Sequence, residues 1–147
     1  MQKVTIDQAK KYTFGLVGYN GRVPLYVLTQ DSCSEISRLL GQWLYKKFPK
    51  AKIYIYKGKV RGRAHDVLIV EANHVSVIDP TVWQFFKNKK SILIASENSI
   101  DDAVATLAHC YGERWRLSER VYGYSASEIK KFKNKLSINI SEFAAAK

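Results

Sequence analysis

The 147-residue chain is short of several things. It has two cysteines, Cys33 and Cys110, with no C-x-x-C spacing. That is too few for a disulfide scaffold and the wrong pattern for a zinc site, although one Cys33–Cys110 bridge stays open. It has three histidines, His65, His74 and His109, and no H-x-x-x-H pair, so no metal site is expected. No apolar run approaches the ~20 residues of a membrane span, and Met1-Gln2-Lys3 opens no leader. A soluble chain is expected, cytoplasmic or secreted without a cleavable signal peptide within this sequence. Acidic residues are scarce as well: 13 Asp and Glu face 24 Lys and Arg, a net charge of +11. Such an excess calls for an anionic partner, whether nucleic acid, an anionic membrane or an acidic protein.

What is present suits one domain, residues 1–147. Hydrophobic residues make up 46% of the chain, enough for a core and against disorder. Asn20-Gly21 between Thr13–Tyr19 and Arg22–Leu28 predicts a β-hairpin, with Pro24 placing its second arm at a sheet edge. The period then becomes helical at Ile36, Leu39, Leu40, Trp43, Leu44 and Phe48. Ser32-Cys33-Ser34-Glu35 predicts a capping box with Ser32 as N-cap, and Pro49 stops the helix. Strands are expected at Ala51–Tyr56, Ala64–Glu71, His74–Asp79 and Ser91–Ala95. Helices are expected from Ser99, ending at Gly112, and from about Ser125 to Leu136. The order reads as an α+β domain.

Three residues stand out for chemistry. The helix start puts Cys33 at the first helical position, where free amides and the positive end of the dipole favour a thiolate. A nucleophilic cysteine also needs a base and a group to orient it. If Glu71-Ala72-Asn73 is a hairpin loop with Asn73 left-handed, His65 and Asp79 face each other directly across two strands. Asp79 then fixes the tautomer of His65, and the imidazole faces the helix carrying Cys33. The alternative is a small buried cysteine, a strand-end histidine and an Asp-Pro turn.

These residues resemble the transglutaminase-like and papain-like cysteine hydrolase superfamily. Ala64-His65 with the alternating Val67-Leu68-Ile69-Val70 resembles its histidine strand. Ile78-Asp79-Pro80-Thr81 with Trp83 is similar to its Asp-Pro-Thr segment. The resemblance runs from Gln30 to Phe86. It implies a papain/transglutaminase-like core: a helix bearing the cysteine, packed on an antiparallel sheet bearing His and Asp. It implies Cys33 as nucleophile, His65 as general base, Asp79 as its orienter and Gln30 as an oxyanion candidate. The Cys33 backbone N–H is a further oxyanion donor. Compact members include peptidases, acyltransferases and bacterial effectors that deaminate or cleave host proteins. The reaction implied is acyl transfer on a protein or peptide amide, with no metal or cofactor.

Eight cations and no acid lie between Lys46 and Arg63, with Tyr54 and Tyr56 interleaved. The stripe has two readings. Arg61 and Arg63 beside the thiol site would attract an acidic substrate, with Trp83 as a further docking candidate. Alternatively, the chain is a non-catalytic nucleic-acid-binding module. An inactive member of the same fold, acting as a partner, is a third possibility.

Overall fold

The computed structural model describes residues 3–145; Met1, Gln2, Ala146 and Lys147 lie outside them. It is an α+β architecture. Helices α1 (Lys3–Val17), α2 (Leu25–Leu28) and α3 (Cys33–Lys47) come first. Strands β1 (Lys52–Val60), β2 (Arg63–Glu71) and β3 (Val75–Ile78) follow, then a 3₁₀ turn at Val82–Gln84. Strand β4 (Leu93–Glu97), helix α4 (Ile100–Tyr111), strand β5 (Arg116–Arg120) and helix α5 (Ala126–Ala145) complete the order. The five strands form one antiparallel sheet, in the order β4-β3-β2-β1-β5.

Helices cover both faces of this sheet. Ile53 and Ile55 of β1, Leu68 and Val70 of β2 and Ile78 of β3 pack against Leu40 and Leu44 of α3 and Ile6 and Ala9 of α1. The opposite face sets Val67, Ile69, Val75 and Val77 against Ala103, Leu107 and Tyr111 of α4. Burial on both faces explains why β3 and the middle of β2 are buried at successive positions and do not alternate with solvent. Outside α3, the last helix closes a third cluster: Leu136 of α5 meets Val17, Leu28, Ile36 and Leu39.

The N-terminal third departs from the expected hairpin. Ile6, Ala9, Thr13 and Val17 are buried at spacings of three and four, one stripe of a helix. That helix ends where Gly18 takes φ +68° and the Tyr19 N–H bonds back to the Phe14 carbonyl at 3.0 Å. Asn20-Gly21 does form a bend, with the Arg22 N–H donating to Asn20 Oδ1 at 3.1 Å, but it links two helices. Pro24 precedes α2 instead of lying on a sheet edge. The left-handed two-residue hairpin turn lies at Arg61 (φ +52°) and Gly62 (φ +79°), between β1 and β2.

Two helix starts follow the sequence closely and one differs. Ser99 Oγ accepts the Asp102 N–H, and Gly112 caps the far end of α4 at φ +76°. Ser125 and Glu128 bond each other's backbone N–H reciprocally at 3.1 Å, a complete capping box. Ser32 is the N-cap of α3 in position, but its side chain makes no capping bond. Instead Ser32 Oγ donates to the Gln30 carbonyl at 3.2 Å and accepts from Asn139 of α5 at 3.1 Å.

Candidate active site

Pairing of β2 with β3 runs Leu68↔Ile78 to Glu71↔Val75, so paired numbers sum to 146. The expected register, with His65 directly opposite Asp79, is therefore two residues off. Continued one step, the observed register puts Asp79 beside Val67 and His65 on the diagonal. A shift of two leaves both side chains on one face, and a diagonal neighbour is within reach of an imidazole. Accordingly, the two meet: His65 Nε2 lies 2.8 Å from Asp79 Oδ2, and both side chains are 0% exposed. Asn73 is not left-handed, and the loop closes by the Ala72 N–H donating to the His74 carbonyl at 2.9 Å.

The Asp79 carboxylate is fully partnered. Besides His65, its Oδ2 accepts the Tyr111 hydroxyl at 2.5 Å. Its Oδ1 accepts the Thr81 N–H at 3.0 Å and the Thr81 hydroxyl at 3.3 Å. A buried carboxylate is tolerable only when its lone pairs are met in this way. Tyr111 arrives from α4, 32 residues further along, and no local pattern flags it. Thr81 belongs to the Asp-Pro-Thr string.

Aromatic rings enclose the imidazole. Phe85, Tyr111 and Trp115 present to it at 4.9, 6.0 and 6.3 Å between centroids, all near perpendicular. Gly58, paired with His65, makes room for this: a Cβ there would meet the Trp115 ring at 2.5 Å. The imidazole thus packs on the α4 face of the sheet.

Cys33 reaches it from the side. Strand β3 stops at Ile78 opposite Leu68, leaving the first residues of β2 uncovered by it. Helix α3 delivers Cys33 to this stretch, with Sγ 4.0 Å from the Ala64 carbonyl. The helix is fixed to β2 by Ser37 Oγ on the Asp66 carbonyl at 3.3 Å and by Arg38 on the Asp66 carboxylate at 2.9 Å. Arg38 also holds Glu119 of β5 at 2.7 Å and the Ser34 carbonyl at 3.1 Å. Alternation along β2 lets Asp66 take this anchoring role on one face while His65 works on the other.

His65 Nδ1 makes no hydrogen bond of normal geometry with any described group, yet Cys33 is close enough to act on the ring's titration. Burial pushes the imidazole towards neutrality. The Asp79 charge and hydrogen bond outweigh it, Cys33 adds to them, and the pKa rises from 6.5 to about 10. Burial and the Asp79 carboxylate also push the Tyr111 phenol above its ordinary range, so it remains a donor.

The raised His65 pKa fixes a sign for stability. Between about 6.5 and about 10 the folded chain holds a proton that the unfolded chain has released. The stabilisation is complete below 6.5 and is lost as pH rises through the folded value. Urea midpoints should therefore fall from about pH 6 to about pH 9, and His65→Gln should flatten that slope. An equal slope in both proteins would show that His65 carries no such proton.

Other candidate residues are placed as follows. Gln30 follows α2 and is half-buried, and its side chain bonds to no described residue. Arg63 is ion-paired with Asp31, two residues before Cys33, and Arg61 lies over the Phe86 ring at 5.6 Å. Trp83 is 2% exposed, with its indole N–H on the Lys89 carbonyl at 2.8 Å, and offers little surface for docking. Within the basic stripe Lys57 pairs with Asp66 at 3.5 Å, and Lys47 bonds Gln8 and lies over Trp43. Cys33 and Cys110 are both free thiols. Among the described residues no group of three or more His, Cys, Asp and Glu could hold a metal ion, and no helix is long and apolar enough to cross a membrane.

No protein family, curated protein or solved structure matches this chain. Its function must be argued from its own residues.

Proposed function

We propose that the chain is a cysteine-dependent acyl-transfer enzyme acting on a protein or peptide amide, of amidase, peptidase or glutamine deamidase/transglutaminase type. The observation that carries this reading is the buried His65 ring, bonded through Nε2 to Asp79 and open through Nδ1 towards Cys33. The papain/transglutaminase-like resemblance supports the same order of residues.

In this mechanism the His65 imidazole, protonated through neutral pH, stands beside the attacking sulfur of Cys33. Sγ attacks the carbonyl carbon, and the negative charge moves to the carbonyl oxygen. Cys33 and Ser34 precede Ile36, whose N–H makes the first bond of the helix, to the Ser32 carbonyl at 3.0 Å. The Cys33 N–H is therefore a donor for that oxygen, with Gln30 a second candidate. His65 Nδ1 gives its proton to the leaving nitrogen as the C–N bond breaks. It then takes a proton from the water or amine that attacks the thioester. Asp79 keeps its charge throughout, held by Tyr111 and Thr81. Arg61, Arg63 and the exposed Phe86 are the proposed docking surface for an acidic substrate. The rival reading, a nucleic-acid-binding module, gives the buried His65–Asp79 pair beside Cys33 no use.

Iodoacetamide labelling tests the proposal. An ordinary thiol is only ~3% thiolate at pH 7, so a fully ionised one can react up to roughly 30-fold faster. Cys33 should be alkylated about 10- to 30-fold faster than Cys110 at pH 7, despite Cys110 being the more exposed. His65→Gln should bring Cys33 down to the Cys110 rate and leave Cys110 unchanged. Equal rates in the wild type, with no effect of the substitution, would falsify the assignment.

A further inference from the structure

Helix α1, helix α2 and the loop that follows the 3₁₀ turn bound a hollow of about 540 Å³. Small-molecule sites commonly measure roughly 300–1,000 Å³. Cys33, His65 and Asp79 do not line it, and the thiol mechanism makes no use of it.

Its charge is all of one sign. Lys10 of α1 and Lys87, Lys89 and Lys90 of the loop line the hollow, and no acidic residue joins them. None of the four is ion-paired with a described residue. Like charges gathered round one concavity repel each other, and an anion between them relieves that repulsion.

The loop carrying three of these lysines is held in place. The Trp83 indole N–H donates to the Lys89 carbonyl at 2.8 Å, and the Lys89 N–H donates to the Phe86 carbonyl at 3.1 Å. The Lys10 ammonium donates to the Lys90 carbonyl. An ammonium has three donors, so Lys10 keeps two for a ligand. The Lys89 and Lys90 carbonyls are already engaged, whereas a peptide would need free carbonyls for its own N–H groups. A ligand rich in acceptors suits this lining better.

The remaining wall is aromatic. Phe14, Tyr19 and Tyr26 line the hollow and are half-buried. Phe14 packs on Tyr19 at 4.9 Å and on Trp83 at 5.8 Å between centroids. Lys87 Nζ lies 4.2 Å from the centre of the Tyr26 ring, and Lys10 Nζ lies 5.6 Å from that of Phe14. Ammonium groups therefore stand beside ring faces, and one ligand can meet both kinds of surface.

We propose that this hollow binds a nucleoside polyphosphate, with its base against the aromatic wall and its phosphates among the four lysines. Stacking on a ring tolerates any base, and lysine binds phosphate as a point charge. The site stands whether or not Cys33 is a nucleophile.

The test is calorimetric titration of the full chain with ATP in magnesium-free buffer, beside pyrophosphate and adenosine as its two halves. ATP should bind about tenfold tighter than either half, because stacking and charge act together. Lys87→Gln combined with Lys89→Gln changes two exposed residues and should weaken ATP about tenfold or more. Tyr26→Leu should weaken ATP about tenfold and leave pyrophosphate within about twofold. If that variant does not fold, the lysine pair decides. Lys130→Gln with Lys131→Gln removes the same charge from exposed positions of α5, outside the hollow, and should leave ATP within about twofold. An equal loss in this control overturns the proposal, because binding then follows overall charge. Absence of ATP binding overturns it too, as does pyrophosphate or hexa-aspartate binding as tightly as ATP.

Discussion

Replacing Asp79 by alanine is expected to cost about 3–5 kcal/mol of folding stability, the usual penalty for removing one partner of a buried ion pair. The reason lies in what is left behind. His65 is 0% exposed and holds its proton chiefly through Asp79. Without the carboxylate it must give up that charge, and Nε2 loses its acceptor. The Tyr111 hydroxyl and the Thr81 N–H and hydroxyl lose theirs as well. A domain of this size commonly has only about 5–15 kcal/mol in hand, so urea denaturation should show a large drop in midpoint. Asp79→Asn is the informative companion. It keeps the shape and one acceptor oxygen, so it should fold. It should nonetheless lower the His65 pKa and the Cys33 alkylation rate together. An Asp79→Ala protein as stable as the wild type would show that the ring is neutral and the pair carries no charge.

The second large effect is expected at Arg38, on the other face of the sheet. Its guanidinium touches Asp66, Glu119 and Ser34, drawing β2, β5 and α3 together. Glu119 is 35% exposed and can turn to water, but the Asp66 carboxylate is only 2% exposed. Arg38→Ala leaves Asp66 with Lys57 at 3.5 Å as its remaining cation. The expected loss is again about 3–5 kcal/mol. Lysine is no substitute, because one ammonium cannot meet three acceptors in the geometry of a guanidinium fork. In a double-mutant cycle, Arg38→Ala with Asp66→Ala should cost clearly less than the two single changes added. Strict additivity would mean the pair is not coupled. The substitution also has a functional readout. Because Arg38 lies one turn from Ser34 and Asp66 is next to His65, Cys33 should lose part of its excess reactivity in any Arg38→Ala protein that still folds.

The contrast between what the sequence told and what it hid is physical. Strands β1 to β3 and helices α3 and α4 were legible from their apolar patterns, with Pro49 just past the end of α3 and Ser99 and Gly112 capping α4. The N-terminal helix was legible in principle, through Ile6, Ala9, Thr13 and Val17, but the Asn20-Gly21 turn signal outweighed that spacing. Such a dipeptide specifies a bend and not what the bend connects. Strand β5 was missed because it is a charged, largely exposed edge strand, with no alternation to read. The candidate site emerged from a register that was wrong by two residues. Parity protected it, since only an odd slip would have put His65 and Asp79 on opposite faces. Tyr111 stayed hidden because its role comes from tertiary placement alone.

The motif S-x-x-E makes the same point twice within one chain. At Ser125–Glu128, on an exposed helix start, both bonds of the box form. At Ser32–Glu35 the same letters are buried beneath α5, and Asn139 takes the serine oxygen and the glutamate instead. Burial also raises the Glu35 pKa, with Lys135 acting against it. A local code is obeyed where water is the competitor and overruled where a packed side chain is.

That Asn139 contact also sets a timetable for synthesis. Its amide holds the Asp31 carbonyl, 108 residues earlier in the chain, and the Ser32 hydroxyl, 107 residues earlier. A ribosome adding about 5–20 residues per second needs several seconds to cover that span. The loop leading to Cys33 therefore gains this support only after Asn139 has been made. The start of the helix that carries Cys33 would thus acquire its final setting late, from a residue more than a hundred positions further along.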